Sequence, residues 1–198
     1  MARRIAIIQG HPDVQGNHFG HALADAYAAG GGQAGHEIKT LVLATLDFSL
    51  LRSKEDWESA TPSEAIRQAQ GVIEWADHLL IVYPLWLGSM PAILKAFFEQ
   101  VFRPGFAIAK SGSGKSWKKL LSGKSARIVV TMGMPGFVYR WYFRYFRAHS
   151  VKSLKRNILG FCGIGPVSQS IIGMVEGLSG AKREQWLVRM RALGGAAR

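Results

Sequence analysis

The chain has 198 residues, 48% of them hydrophobic, a single cysteine and a formal net charge of +12. Such a chain can bury about 70% of its unfolded surface in one domain, 1–198, which excludes an intrinsically disordered protein, and no apolar stretch approaches the ~20 residues of a membrane helix. Charge is segregated: residues 1–102 carry 7 Lys and Arg against 11 Asp and Glu, and residues 103–198 carry 18 against 2, so the second half offers a basic surface to an anionic partner.

Arg4 to Gly10 reads as a first strand. A helix over His18 to Ala29 follows, with Phe19, Leu23, Ala26 and Tyr27 on one side and Gly30-Gly31-Gly32 ending it. His36 to Leu43 alternates as an edge strand does. Thr61-Pro62-Ser63 has helix-start chemistry and predicts a helix over Glu64 to Ala76. His78 to Tyr83 is a continuous apolar run, the pattern of a strand buried on both faces. That run breaks at Pro84, turns through Trp86 and Gly88, and restarts after Pro91 as a helix over Ala92 to Phe102.

Lys110 to Gly123 is a polar, basic, glycine-rich surface excursion, and Ala126 to Thr131 is a fourth strand. Tyr139 to His149 reads as an aromatic-rich helix, Gly160 to Val167 as holding a short fifth strand, and Ala181 to Leu193 as a closing helix. Strands alternating with helices predict a doubly wound parallel α/β sheet, and five strands favour the order 2-1-3-4-5.

In such a sheet, ligands bind at the carboxyl ends of the strands. Three loops lie there. Gly10 to Phe19 joins the first strand to a helix N-terminus, where unpaired N–H groups and the helix dipole attract anions; it lacks the glycine pattern of a dinucleotide fold. Pro84 to Ala92 is apolar and aromatic, as compatible with core packing as with a flat ligand. Thr131 to Tyr139 is the third.

Two other segments weigh less. Ala109 to Ser116 fits a relaxed phosphate-loop pattern, but it lacks the buried strand before it and the packed helix after it that a working loop needs. On the helix at 139–149, Arg140, Arg144 and Arg147 share one face among aromatic rings. That favours a subunit interface over single-stranded nucleic acid, with the arginines also suited to a nucleotide 2′-phosphate or an anionic membrane. Cys162 excludes an internal disulfide, fits a reducing cytoplasm, and reads as a small core residue between Phe161 and Gly163. Two N-terminal arginines precede too short an apolar run for a signal peptide, and no metal site is expected.

The run Pro84-Leu85-Trp86-Leu87-Gly88-Ser89-Met90-Pro91-Ala92-Ile93-Leu94-Lys95, followed by Phe97-Phe98-Glu99-Gln100-Val101, resembles the flavin-ring loop of the NAD(P)H:quinone oxidoreductase family. Those flavodoxin-like enzymes include quinone reductases, drug-activity modulators and ancillary oxidoreductases of potassium-efflux systems. The first loop is similar to the family's phosphate loop, with His11, Asn17, His18 and Phe19 matching in position; His18 departs from the family's common Ser. Thr131-Met132-Gly133-Met134 is similar to its Thr-x-Gly loop, and Tyr139 keeps the spacing of a tyrosine that lines the hydride-acceptor site. The family's catalytic His has no match at its spacing; His149 comes slightly later.

The resemblance implies an α/β flavodoxin-like three-layer sandwich and a bound FAD or FMN, with FAD favoured. Pro84, Leu85, Trp86 and Leu87 would bind the ring, the last three as its wall and as backbone amides, Thr131, Met132, Gly133 and Met134 would hold its edge, Tyr139 would face the substrate, and His149 is the candidate left for the catalytic His. NAD(P)H would pass a hydride to the flavin and leave before a quinone or similar electrophile takes two electrons. It further implies a cytoplasmic homodimer that binds no nucleic acid, with peripheral contact to an anionic membrane or a transporter. Two other readings stay open: a flavodoxin-type electron carrier, although such carriers are typically acidic, and a regulatory ancillary subunit of a membrane transporter.

Overall fold

In β1 (Arg4–Gln9), β3 (His78–Pro84) and β6 (Ser125–Thr131), burial alternates between two cores, so each strand feeds both faces of one sheet. Ala6, Ile8, Leu79, Ile81, Ile128 and Val130 pack on one side; Ile5, Ile7, Leu80, Val82 and Val129 pack on the other. Each fully buried aliphatic side chain contributes about 1.5–3 kcal/mol. The computed structural model describes residues 1–111, 116–137 and 150–198.

Within these, β2 (Glu37–Val42) and β7 (Val167–Ile172) flank the central strands, giving a parallel sheet in the order β2-β1-β3-β6-β7. Two short strands, β4 (Ile108–Lys110) and β5 (Trp117–Lys119), pair antiparallel in a separate ribbon. With that ribbon set aside, the order is the 2-1-3-4-5 of the expected fold. The ribbon also disposes of the phosphate-loop pattern at 109–116, because its described flanks are antiparallel strands rather than a strand and a helix.

On one face lie α1 (Phe19–Gln33) and α6 (Gly180–Gly195). On the other lie α3 (Glu64–Trp75), α4 (Ala92–Val101) and α5, residues 150–162, which is α-helical at Ser150–Ser153 and Gly160–Cys162 around a π-helical Leu154–Leu159. A short α2 (Lys54–Glu58), unforeseen in the sequence, starts at a capping box between Ser53 and Asp56. Among the described residues no helix is long and apolar enough to cross a membrane.

Two expectations need correcting. The helix after β1 does not end at Gly30-Gly31-Gly32 but runs through them to Gln33. A Cβ on Gly30 would fall on the Arg191 carbonyl, and one on Gly194 on the Tyr27 carbonyl, so these glycines let α1 and α6 cross at backbone contact. The helix stops instead at Gly35 (φ +80°), where His36 N–H returns to the Gly31 carbonyl at 2.9 Å. The fifth strand is also not within 160–167: it starts at Val167, and Gly160–Cys162 is helical. Leu159, Cys162 and Ile164 supplied an apolar density that reads as strand but is helix and turn packed on the core. The expected helix over 139–149, with Arg140, Arg144, Arg147, Tyr139 and His149, lies outside the described residues.

Candidate functional site

Strand register brings four carboxyl ends level. Gln9 pairs with Val82, Pro84 with Thr131, and Thr131 with Ile172. Gly10 then donates its N–H to the Val82 carbonyl at 2.8 Å, and a Cβ there would press on Leu94 and Tyr83, so glycine keeps the first loop tight against β3 and α4. The loops leaving these ends enclose a crevice of about 710 Å³.

Ten of the predicted residues line it: His11, Asn17, His18, Phe19, Pro84, Leu85, Trp86, Thr131, Met132 and Gly133. Leu87 and Met134 do not. Leu87 is fully exposed at φ +47° in a two-residue turn with Gly88 (φ +77°), closed by reciprocal Trp86–Ser89 hydrogen bonds of 2.9 Å. A leucine in the left-handed region costs roughly 1–2 kcal/mol. Met134 is turned out, with its carbonyl accepting from Met174 N–H at 3.1 Å.

The first loop forms the polar end. The N-cap of α1, His18, makes no side-chain capping bond, and the first turn holds no acidic residue, so no side chain caps the helix where its first residues, Phe19 and Gly20, line the crevice. His11 is 7% exposed and stacks on His18 with ring centroids 3.7 Å apart; His21 and Trp86 meet the His11 ring edge-on at 5.3 and 5.9 Å. Burial, followed by the neighbouring His18 and His21, holds the His11 imidazole below its ordinary pKa. His18 Nε2 lies 2.8 Å from Asp13 Oδ2, and this contact is the main reason the Asp13 carboxyl is held below its usual range.

The aromatic loop forms the other wall. Pro84, Leu85 and Trp86 present it, with Trp86 half exposed. The amides foreseen as donors to a ring are only partly free. Leu85 N–H donates to the Thr131 carbonyl at 2.8 Å and Trp86 N–H to the Ser89 carbonyl at 2.9 Å. Met132 N–H is likewise committed, to Ile172. Among the described residues Gly133 N–H is not bound to a backbone carbonyl, which makes it the available donor on that side.

Sequence reasoning missed a fourth contributor. The loop after β7 brings Val175 and Glu176 to the crevice, and Arg183 of α6 joins them. Arg183 ties the loop down, its Nη2 donating to the Val175 carbonyl at 2.8 Å and its Nε to Leu178 at 3.1 Å, while its guanidinium lies 5.2 Å from the Phe19 ring centre. Placing the fifth strand too early hid this loop, although the rule that finds the other three applies to it equally. Tyr139 and His149 lie outside the described residues, and among the described residues no cluster could hold a metal ion.

A family model described as "Flavodoxin-like fold" matches residues 3–193. An uncharacterized NAD(P)H oxidoreductase of Haemophilus influenzae is 29% identical over 177 residues, 86% of this chain and 83% of its own. FMN-dependent NADH:quinone oxidoreductase 8 of Burkholderia lata is 36% identical over 58 residues, which are 29% of this chain and 25% of that one. The crystal structure of Smu.1420 from Streptococcus mutans UA159 has 27% identity and a TM-score of 0.80, covering 98% of this chain and 99% of that chain. Strand order, crevice position and the near-complete family match agree: the chain belongs to the flavodoxin-like fold family.

Proposed function

We propose that the crevice binds a flavin and that the protein is a flavin-dependent NAD(P)H oxidoreductase, passing two electrons to a quinone or similar electrophile. The observation that carries this is that two unlike walls line one crevice. The first loop offers an uncapped helix N-terminus and imidazoles, suited to a phosphate; the aromatic loop offers the apolar wall of Pro84, Leu85 and Trp86, suited to a ring. Its volume, about 710 Å³, is of the size of known cofactor sites. The H. influenzae and B. lata relatives, named as an NAD(P)H oxidoreductase and a quinone oxidoreductase, support the same reading.

The flavin, when bound, supplies the hydride chemistry. The chain's own part is placement and electrostatics. Phe19 and Gly20 N–H groups with Asn17 would hold the phosphate, Trp86 and Leu85 would exclude water from the ring, and Gly133 N–H would offer a hydrogen bond to developing negative charge. NAD(P)H and then the acceptor would enter the same crevice in turn, in ping-pong order. Of FAD and FMN we take FMN, since the B. lata relative is named for it and the FAD preference finds no support among the three relatives. We take the exposed Leu87, Met134 and Phe137 to be covered by a second copy of the chain, which size-exclusion chromatography tests. NAD(P)H oxidation with a quinone, followed in protein saturated with FMN, tests the activity: absence of turnover would leave an electron carrier as the surviving reading.

A further inference from the structure

Charge on this chain is most one-sided between Glu99 and Glu176, a stretch with 13 Lys and Arg and no Asp or Glu. Within it the end of the β4–β5 ribbon meets the end of α5. Leu121 N–H donates to the Cys162 carbonyl at 3.1 Å, and a Cβ on Gly163 would stand 3.0 Å from the Lys119 Cβ. The residues just before this bonded pair, Leu120 and Phe161, are 38% and 42% exposed, so two large apolar side chains stand in water at the junction.

Cations surround them. Lys118 and Lys119 precede Leu120 and are exposed. Along α5, the buried Val151, Leu154, Leu159 and Cys162 fix the side turned to the core and leave Lys152, Lys155 and Arg156 outside. Gly160 N–H donates to the Lys155 carbonyl, the i→i+5 step of a π-helix, and the same step leads from Arg156 to Phe161. Among the described residues none of these five cations makes an ion pair. The carboxylate that reaches the ribbon, Glu58, is taken by Lys110 at 3.4 Å and Lys54 at 3.9 Å.

Unpaired cations beside exposed apolar side chains suit a partner that is anionic and also admits hydrocarbon. A second copy set symmetrically on this face would bring like charge to like. None of these residues lines the crevice or the further cavities of about 210, 280 and 830 Å³, so the face offers a surface rather than a groove for a nucleic-acid strand to follow. We propose that it docks on an anionic lipid bilayer, with Leu120 and Phe161 entering the headgroup region and the five cations meeting lipid phosphates. The face lies near the start of β7, whereas the crevice lies at the carboxyl ends of the strands, and nothing in the proposal depends on what occupies the crevice.

Co-sedimentation of the full chain with vesicles tests this, using phosphatidylcholine alone and an equimolar mixture of phosphatidylcholine and phosphatidylglycerol. Binding to the mixed vesicles only, falling as salt is raised, is expected. Lys155→Glu with Arg156→Glu should lower the partition coefficient about tenfold or more, and Phe161→Ser roughly threefold. Lys39→Glu with Arg189→Glu changes net charge equally on β2 and α6 and should leave binding within about twofold of wild type. Should the α5 pair fail to fold, Lys118→Gln with Lys119→Gln reads the same face, and unchanged binding there contradicts the proposal. A protein that ignores the mixed vesicles overturns it outright, and equal losses in the α5 pair and the control pair overturn the assignment to this face. Tighter binding of a single-stranded oligonucleotide at the same salt, weakened by the α5 pair, would give the face to nucleic acid and overturn the lipid assignment.

Discussion

The imidazole of His18 lies flat on that of His11, ring centroids 3.7 Å apart and planes inclined by 22°, at the open N-terminus of α1. The stack sets His18 Nε2 against Asp13, one of the two carboxylates that line the crevice. His18 therefore engages one oxygen of a carboxylate that would otherwise be turned freely toward the cofactor. His18→Ala should weaken FMN binding about tenfold, and Asp13→Asn added to it should restore most of the loss. Fluorescence titration of FMN into the variants measures both; equal affinity of wild type and His18→Ala would show that the pair has no such part.

Glycines within α1 should respond in opposite senses to the same substitution. A Cβ on Gly32 would meet no other atom within 4 Å, so Gly32→Ala gains helix propensity of up to about 1 kcal/mol. Gly30→Ala would drive a methyl into the Arg191 carbonyl, separate α1 from α6, and destabilise by about 1–3 kcal/mol or more. Urea denaturation of the two variants checks the sign. A stabilising Gly30→Ala would mean the helices are not in backbone contact.

His78 gives the acid limb of the stability curve. The ring is 2% exposed, its Nδ1 is 2.7 Å from Ser125 Oγ, and burial together with the nearby Arg3 and Arg127 pushes its pKa down to about 4. The folded state keeps the ring neutral, whereas the unfolded chain protonates it near 6.5. Its contribution is therefore complete above pH 6.5 and is lost as pH falls from there toward 4. The full effect is of order 3 kcal/mol. Unfolding free energies measured across that window should fall more steeply for wild type than for His78→Gln; parallel curves would contradict the assignment.

Cys162 is 2% exposed, and burial pushes its thiol up to about 12. The thiolate is the reactive form, so the native protein should resist alkylation by iodoacetamide and react only on unfolding. Mass spectrometry before and after adding urea reads this directly.

Much of the architecture was legible because the relevant forces are local. The unbroken apolar run His78–Tyr83 could only be a doubly buried strand, and Ser63 announced the start of α3. What was not legible depended on distant partners. Gly30 looks like a helix stop until Arg191, far along the chain, is seen to need its missing side chain. β7 reads as polar, Val-Ser-Gln-Ser-Ile-Ile, because an edge strand keeps only one neighbour, and its loss from view took Glu176 and Arg183 with it. The amides of Leu85 and Trp86 looked available because their acceptors, Thr131 and Ser89, are set by the sheet register and by the turn.

The central claim is that the crevice between the first, aromatic and Thr131 loops is a flavin site with Trp86 in its wall. The visible absorption spectrum of the purified protein, recorded before and after addition of FMN and compared with that of Trp86→Ala, tests it most directly. A bound flavin spectrum in the wild type, released by acid as FMN and weakened in Trp86→Ala, is the predicted result. A colourless protein that takes up no added flavin would contradict it.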